Sequence, residues 1–214
     1  MLNKAFAVER ILLRPLKSNL EQSSEIAGTS DMTMLETERL VIRNFQTSDW
    51  HALHELIVQY QASELAPYDH QWPTSKEDIR KVTEWFAAGD SFLAVCLKDT
   101  SQLIGFVSLN AEEGDGQRQF NAGYVFNHDF HGQGYATEAF SAVLRRAFGP
   151  LQAYRVNSGT AAVNRASCRL LERLGFKKIG EETASFRTAE DGTPIEFLGY
   201  RYAILRDEWQ NRKA

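Results

Sequence analysis

The chain has 214 residues, of which 43% are hydrophobic and 24% are charged, a balance that supports a packed globular core. Its formal net charge of -4 argues against non-specific binding to nucleic acid, which requires a positive field. The two cysteines have no metal-ligand spacing, and no apolar run approaches the ~18 residues that cross a bilayer. We therefore expect a cytoplasmic protein with no nucleic-acid or membrane partner.

The first 33 residues are difficult to join to the rest of the chain, because basic and apolar residues are mixed there and a polar run follows. Three interpretations stay open: a loose or partly helical extension, a basic amphipathic targeting peptide, or translated sequence upstream of a true start at Met32 or Met34. The acidic Glu9 and the lack of a cleavage signature count against targeting. We predict an N-terminal extension over residues 1–33 and one domain over residues 34–214.

From residue 35 onward, hydrophobic periodicity predicts strands and helices in a regular order. The predicted strands are 39–45, 92–97, 103–110, 120–126, 154–160 and two last strands that flank the turn 190–193. The predicted helices are 49–60, one opened by a capping box at Thr74–Glu77 and ended by Gly89, one with an apolar stripe over 136–147, and 164–174. The order β, α, α, three β, α, β, α, β, β indicates a mixed α/β sheet in a single domain.

A strand that ends in Gly132-x-Gly134 leads directly into the third predicted helix. This arrangement gathers free backbone N–H groups and the positive end of the helix dipole at one point, which suits a pyrophosphate. A β-carbon at either glycine would restrict the backbone and hold phosphates away from those donors. The loop alone is equally typical of a tight strand-to-helix turn.

Two other phosphate-binding loops are excluded by particular residues. A dinucleotide fingerprint needs a third glycine where Thr137 stands and an acidic residue ~20 positions on, where residues 152–156 contain none. A P-loop needs a lysine after its last glycine, but Gly180, which is correctly spaced from Gly175, is followed by Glu181.

The segment His131-Gly-Gln-Gly-Tyr-Ala-Thr-Glu-Ala139 resembles motif A of the GNAT superfamily of N-acetyltransferases, especially its RimJ/RimL-type branch. A second block, Asn164-Arg-Ala-Ser167 followed by Leu-Leu-Glu and Gly175-Phe176, is similar to the block that follows the fifth strand in that branch. The opening strand and the Gly123-Tyr124 pair fit as well, so the resemblance spans residues 35–205 in the correct order.

The resemblance implies an α/β fold with a mixed, mostly antiparallel splayed sheet flanked by about four helices. It also implies acetyl-CoA as co-substrate and no metal. Backbone groups of Val125 and Phe126 would pair with the pantetheine arm, the motif A loop would hold the pyrophosphate, and Asn164 and Ser167 would lie near the thioester. The residues assigned to acetyl-CoA in this way are Val125, Phe126, His131, Gly132, Gln133, Gly134, Tyr135, Ala136, Thr137, Asn164 and Ser167. Asn164 is also a good N-cap, and one residue can cap and bind at once.

The resemblance further implies direct attack of an amine on the thioester in a ternary complex, with backbone N–H groups around Val125 serving the oxyanion. Ser167 is the candidate acid for the thiolate, because Leu171 occupies the place of the tyrosine acid of other branches. The base is open, since Asn121 stands where many relatives carry a carboxylate and an amide cannot take the proton. The candidates are Glu112, Glu113, Asp115, Glu182, or a water held by Asn121.

The acceptor also stays open. Neutralising a lysine amine of pKa ~10.4 at pH 7 costs about 4.6 kcal/mol, against about 1 kcal/mol for an α-amine near ~7.8, so a site with a poor base favours protein N-terminal α-amines. A polyamine or antibiotic acceptor would call for acidic residues at the acceptor mouth. Those available are Glu64, Asp69, Glu77 and Asp78. A non-catalytic acyl-CoA-binding module is the rival function, and the sequence leaves monomer or homodimer undecided.

Two further groups of residues are assigned mainly to structure. The aromatic residues Tyr68, Trp72, Trp85 and Phe86 favour core packing over an acceptor pocket. The histidine pairs His51 with His54 and His128 with His131 have no evident third ligand, so we predict no metal site.

Overall fold

The computed structural model describes residues 34–112 and 116–212, and it contains one eight-stranded sheet and five α-helices within these ranges. The strands are β1 (Met34–Glu36), β2 (Leu40–Asn44), β3 (Phe92–Leu97), β4 (Leu103–Glu112), β5 (Gln119–Phe126), β6 (Arg155–Ala161), β7 (Lys177–Thr188) and β8 (Pro194–Leu205). The helices are α1 (Trp50–Gln61), α2 (Lys76–Ala87), α3 (Tyr135–Phe148), α4 (Arg165–Arg173) and α5 (Arg206–Gln210). The predicted extension over residues 1–33 lies outside the described residues, as do Glu113 and Asp115.

The strand order is β1-β2-β3-β4-β5-β6-β8-β7, and every neighbouring pair is antiparallel except β5 with β6. Those two parallel strands pair only over Gln119–Asn121 and Arg155–Asn157. Beyond Asn121 no further pair joins them, so a gap opens inside the sheet. This confirms the expected α/β fold with a mixed, mostly antiparallel and splayed sheet.

Helices cover both faces of the sheet. Leu93 and Val95 of β3 pack in the core that contains Phe140 of α3, whereas Phe92 and Ala94 of the same strand pack with Leu53 of α1. Because successive side chains of a strand point to opposite faces, α1 and α2 lie on one face, and α3 and α4 on the other. The gap between β5 and β6 is therefore accessible to residues from both layers.

Three local predictions need correction. The N-cap of α2 is Ser75 rather than Thr74, since the Ser75 hydroxyl accepts the Asp78 N–H at 3.1 Å. The sequence did not predict β1, whose three residues are too few to show a period. It also missed α5, a five-residue helix held at its start by the Glu208 carboxylate, which accepts the Leu205 N–H at 3.0 Å.

Candidate active site

The loop before α3 has the conformation that its glycines allow. Gly132 has φ +74° and Gly134, the N-cap of α3, has φ +84°. A β-carbon at Gly132 would meet no atom within 4 Å, so the glycine is needed for its backbone angle rather than for space. The N–H groups of the first helical turn have no partner within the helix, and they point toward the space in front of the loop. This geometry is compatible with an anion at the start of α3.

A salt bridge ties this loop to the β1–β2 turn. Glu138 receives hydrogen bonds from the Arg39 Nε at 2.7 Å, the Arg39 N–H at 2.9 Å and the Thr37 hydroxyl at 2.5 Å. Arg39 also donates to the Gln133 carbonyl at 3.0 Å and lies over the Tyr135 ring. Burial opposes ionisation of Glu138, but the hydrogen bonds from Thr37 and Arg39 lower the pKa of its carboxyl overall.

Two predicted ligand side chains hold the loop itself. The His131 Nε2 lies 3.0 Å from the Phe126 carbonyl, and the Gln133 side-chain amide donates to the Asp129 carbonyl at 3.2 Å. Contacts of these two residues with acetyl-CoA would therefore come from their backbone. His128 lies 5.3 Å from His131 between ring centroids, and no group of metal ligands occurs in residues 34–112 and 116–212.

The open edge of β5 offers backbone groups to the gap. The Asn127 N–H donates to the Ile104 carbonyl of β4 at 2.9 Å. Because hydrogen-bonded and non-hydrogen-bonded pairs alternate along an antiparallel ladder, the backbone N–H and C=O groups of Tyr124 and Phe126 face the gap. Two other bonds agree: the Ser158 hydroxyl donates to the Ala122 carbonyl, and His131 contacts the Phe126 carbonyl. The same alternation directs the backbone of Val125 toward β4. Of the two residues predicted to pair with pantetheine, the register thus favours Phe126, together with Tyr124.

A tyrosine that the sequence analysis left without a role lies beside the candidate acid. The Tyr124 hydroxyl and the Ser167 hydroxyl are 2.7 Å apart, and burial raises the pKa of Tyr124 to about 12. Asn164 caps α4 as predicted, because its Oδ1 accepts the Ser167 N–H at 3.1 Å. The Gly123-Tyr124 pair was recognised as part of the family pattern, but only the fold shows that its hydroxyl reaches Ser167.

The gap opens into a cavity of about 200 Å³ between the α1–α2 connection, β4, β5, β6 and the β7–β8 ribbon. Asn121, Val125, Asn164 and Ser167 line it, as does the Asn110 side chain, whose residue pairs directly with Asn121 across the ladder. Eight aromatic residues also line the cavity. They are Tyr60, Tyr68, Trp72, Phe92, Phe106, Tyr124, Phe186 and Phe197.

Among the described carboxylates, Asp69 alone lines this cavity. Its Oδ2 accepts the Tyr60 hydroxyl at 2.7 Å, and its Oδ1 accepts the His70 N–H at 2.7 Å. The other acidic residues suggested for the acceptor mouth do not line it, and Glu77, for example, pairs with Lys81 on the surface of α2.

The other candidate bases are placed elsewhere. Glu112 lies two residues beyond Asn110 on β4, about 7 Å further along the strand, and its carboxylate accepts the Asn157 amide at 2.6 Å. Neither Glu112 nor Glu182 lines the cavity, whereas Asn121 does. Of the described residues considered as bases or as acids at the acceptor mouth, only Asn121 and Asp69 line the cavity.

The aromatic residues near α2 divide between pocket and core. Tyr68 and Trp72 line the cavity, although the sequence favoured core packing for both. Trp72 does both, since it is 6% exposed and packs edge-on to Phe86. Phe86 is a core residue, as expected, and Trp85 is 43% exposed.

Arg187 of β7 joins two parts of the cavity wall. Its Nε donates to the Asp69 carbonyl at 2.8 Å, and its Nη2 donates to the His70 carbonyl at 3.1 Å and to Gln61 at 2.9 Å. The guanidinium therefore ties the α1–α2 connection to the β7–β8 ribbon. No sequence signal joins residues this far apart in the chain.

The chain belongs to the GNAT acetyltransferases: the family model described as an acetyltransferase (GNAT) domain matches residues 39–177. The N-acetyltransferase YnaD of Bacillus subtilis (strain 168), itself described as uncharacterized, is 28% identical over 177 residues, which cover 82% of this chain and 98% of the relative. Within the described residues, no helix is long and apolar enough to cross a membrane.

Solved structures share the fold. A GNAT-family acetyltransferase from Bacillus anthracis superposes with a TM-score of 0.68 at 26% identity, covering 82% of this chain and 99% of that one. A ribosomal-protein-S5-alanine acetyltransferase from Vibrio fischeri gives a TM-score of 0.69 at 18% identity, covering 83% and 98%. At that identity the second likeness concerns the fold alone.

Proposed function

We propose that this GNAT acetyltransferase transfers an acetyl group from acetyl-CoA to a primary amine by direct attack in a ternary complex. One observation carries the proposal. The open edge of β5, the Tyr124–Ser167 pair and the aromatic cavity all border the same gap, and β5 leads on into the Gly132–Gly134 loop. A thioester in the gap would thus have its pyrophosphate near α3 and its acetyl group facing the cavity.

The reaction needs three contributions from the chain. The amine nitrogen attacks the thioester carbon, and the oxyanion that forms accepts a hydrogen bond from the backbone N–H of Tyr124 or Phe126. The carbon–sulfur bond then breaks, the thiolate takes a proton from Ser167, and Ser167 takes one from Tyr124, which solvent then reprotonates. Tyr124 lies at 2.7 Å behind Ser167, and its high pKa keeps its proton available near neutral pH.

The proton of the attacking amine leaves by a water-assisted route in this proposal. Asn121 holds that water, and Asp69 is the carboxylate that the cavity offers; Glu112 is the alternative base. Because a lysine amine costs about 4.6 kcal/mol to neutralise at pH 7 and an α-amine about 1 kcal/mol, this weak base favours α-amines such as a peptide N-terminus. We also assign the chain to the RimJ/RimL-type branch, on its two sequence blocks.

We further propose a reducing, cytoplasmic location, which is supported by the two cysteines, both of which are free thiols.

The test is thiol release from acetyl-CoA, followed with a thiol reagent, against peptides with free N-termini, monoamines, polyamines, aminoglycosides and free amino acids. Amine-dependent release is expected, together with acetyl-CoA binding in calorimetry. Binding without release across the whole panel would contradict the proposal and would favour the non-catalytic acyl-CoA-binding module.

A further inference from the structure

We propose that the acceptor is a compact primary monoamine whose amine lies close to an aromatic group. This inference rests on the proposed function and specifies the substrate class of the same site. Two sources share this chemistry: a peptide whose first residue is aromatic, whose α-amine also suits the weak base, and a free arylalkylamine, whose more basic amine costs more to neutralise.

Aromatic rings form a continuous wall on the acceptor side of the cavity. Phe197 lies 5.6 Å from Tyr68 and 5.4 Å from Phe186, and the Phe186 ring lies 4.2 Å from that of His70, measured between ring centroids. On the other side, Trp72 lies 6.0 Å from Phe106. Rings at these distances prefer edge-on and offset neighbours, and an aromatic guest can offer the same contacts. An extended polar chain would leave this wall unmatched.

The charge of the lining restricts the acceptor further. Among the described residues, Asp69 supplies the one carboxylate of the lining, and no lysine, arginine or glutamate lines the cavity. The Asp69 oxygens each accept one hydrogen bond, from Tyr60 and from the His70 N–H, so that further lone pairs are open to an ammonium group. One carboxylate matches one cation, which disfavours polyamines. A free amino acid would bring a carboxylate that meets no cation in the lining.

The size of the cavity agrees with a compact guest. Its volume of about 200 Å³ is below the ~300–1,000 Å³ of typical ligand sites. The acetyl group must enter the same space. Room is left for one ring system and its amine, while the remainder of a peptide would stay outside.

The first experiment compares size-matched amines by kcat/KM at saturating acetyl-CoA. Phenethylamine is compared with its saturated analogue 2-cyclohexylethylamine, and the amide of Phe-Ala with that of cyclohexylalanyl-Ala, so that each pair has the same number of heavy atoms; spermidine serves as the polycation. We expect kcat/KM for each aromatic amine to exceed that for its aliphatic partner by about 10-fold, which is the discrimination that a small difference in hydrophobic contact provides. The pair with the larger aromatic preference in kcat/KM shows whether the acceptor is a free amine or a peptide. Equal rates within both pairs, or a preference for spermidine, would overturn the inference.

The second experiment removes the charge while keeping the shape. Asp69→Asn retains an oxygen that can accept a hydrogen bond but loses the charge that pairs with the ammonium group, so we expect KM for the preferred amine to rise by about 10-fold. The kcat should fall as well, because Asp69 is the proposed acceptor of the amine proton, while the Kd of acetyl-CoA should be unchanged. Glu77→Gln, an exposed acid outside the cavity, is the matched control and should leave all three values unchanged. An unchanged KM in Asp69→Asn would overturn the role of Asp69.

The two proposals fail differently. If acetyl-CoA binds but no amine releases thiol, the proposed function fails. If amines release thiol without an aromatic preference, the acetyltransferase reaction stands and the acceptor inference alone fails.

Discussion

The donor and acceptor halves of the site are constructed differently. The proposed donor half is almost one continuous segment, from β5 through the Gly132–Gly134 loop to the first turn of α3, and we expect it to bind mainly through backbone N–H groups. The acceptor half takes side chains from residues 60–72, from β4 and from the β7–β8 ribbon. Backbone sites tolerate sequence change and recur across a family, whereas distant side chains differ from protein to protein. We therefore expect the donor to be common to the family and the acceptor to differ between its members.

The largest expected effect is on the donor loop. Gly134→Val places a β-branched residue at φ +84°, where L-residues are strained, and forces the loop away from its anion-binding conformation. We expect the Kd of acetyl-CoA to rise by at least about 100-fold, roughly 2.7 kcal/mol. Isothermal titration calorimetry measures this directly.

Gly192→Val is the matched control for that change. Gly192 has φ +83°, and its β-carbon would meet no atom within 4 Å, so the backbone strain is comparable and the β7–β8 turn lies apart from the loop. Both variants should lose about 1–2 kcal/mol of unfolding free energy. Equal acetyl-CoA affinity in the two variants would show that the loop does not bind the pyrophosphate.

The next effect tests the chemistry on the donor side. Ser167→Ala removes the candidate acid and should lower kcat by about 100-fold, the lower range of general acid catalysis. The Kd of acetyl-CoA should change little, because the Ser167 N–H that bonds Asn164 is retained. Stopped-flow and steady-state rates with the best amine provide the measurement.

Tyr124→Phe tests whether the two hydroxyls act as a unit. We expect a smaller loss of about 10-fold in kcat, and the double variant should resemble Ser167→Ala alone, because groups that act together are not additive. Since the pKa of Tyr124 is about 12, wild-type kcat should not fall between pH 8 and 10 through loss of this proton. Additive losses would mean that the two groups work independently.

The sequence predicted the local parts of this architecture and missed the parts that depend on distant contacts. The Gly132–Gly134 loop and the Asn164 cap were predictable because each is a short-range feature with its own backbone requirement. The Tyr124–Ser167 contact spans 43 residues and the Arg187–Asp69 contact spans 118, and nothing in either local sequence indicates its partner. The α2 cap was misplaced by one residue because Thr74 and Ser75 are both suitable caps, each with an acidic residue three positions later.

The acceptor side has its own test in Arg187. Arg187→Met keeps an apolar stem but removes the hydrogen bonds to the Asp69 and His70 carbonyls, so the α1–α2 connection should move more freely relative to β7. We expect KM for the amine to rise by about 5-fold while the Kd of acetyl-CoA is unchanged, since charge-assisted hydrogen bonds contribute about 1.5–3 kcal/mol and only part of this reaches the substrate.

Arg118→Met is a suitable control for Arg187→Met. Arg118 also donates to a carbonyl, that of Leu151, but at an exposed position outside the cavity lining. Its KM values should match wild type. If Arg187→Met raised the Kd of acetyl-CoA more than the KM for the amine, the proposed division between a donor half and an acceptor half would be wrong.

The smallest effect is expected at the Arg39–Glu138 salt bridge beside the donor loop. Glu138→Gln preserves an oxygen for the Thr37 hydroxyl and the Arg39 N–H but removes the charge that Arg39 pairs with at 2.7 Å. The pair is partly exposed, so we expect a loss of about 0.5–1 kcal/mol in unfolding free energy at pH 7 by urea denaturation.

The folded pKa of Glu138 is lowered, so its contribution is present above the unfolded pKa and is lost as pH falls through the folded value. Wild type and variant should therefore converge in acid, while Glu77→Gln, as an exposed-acid control, should differ less from wild type at pH 7. A constant difference between wild type and Glu138→Gln across pH would mean that packing rather than charge holds this loop, and the donor half would then depend on side-chain fit as much as the acceptor half does.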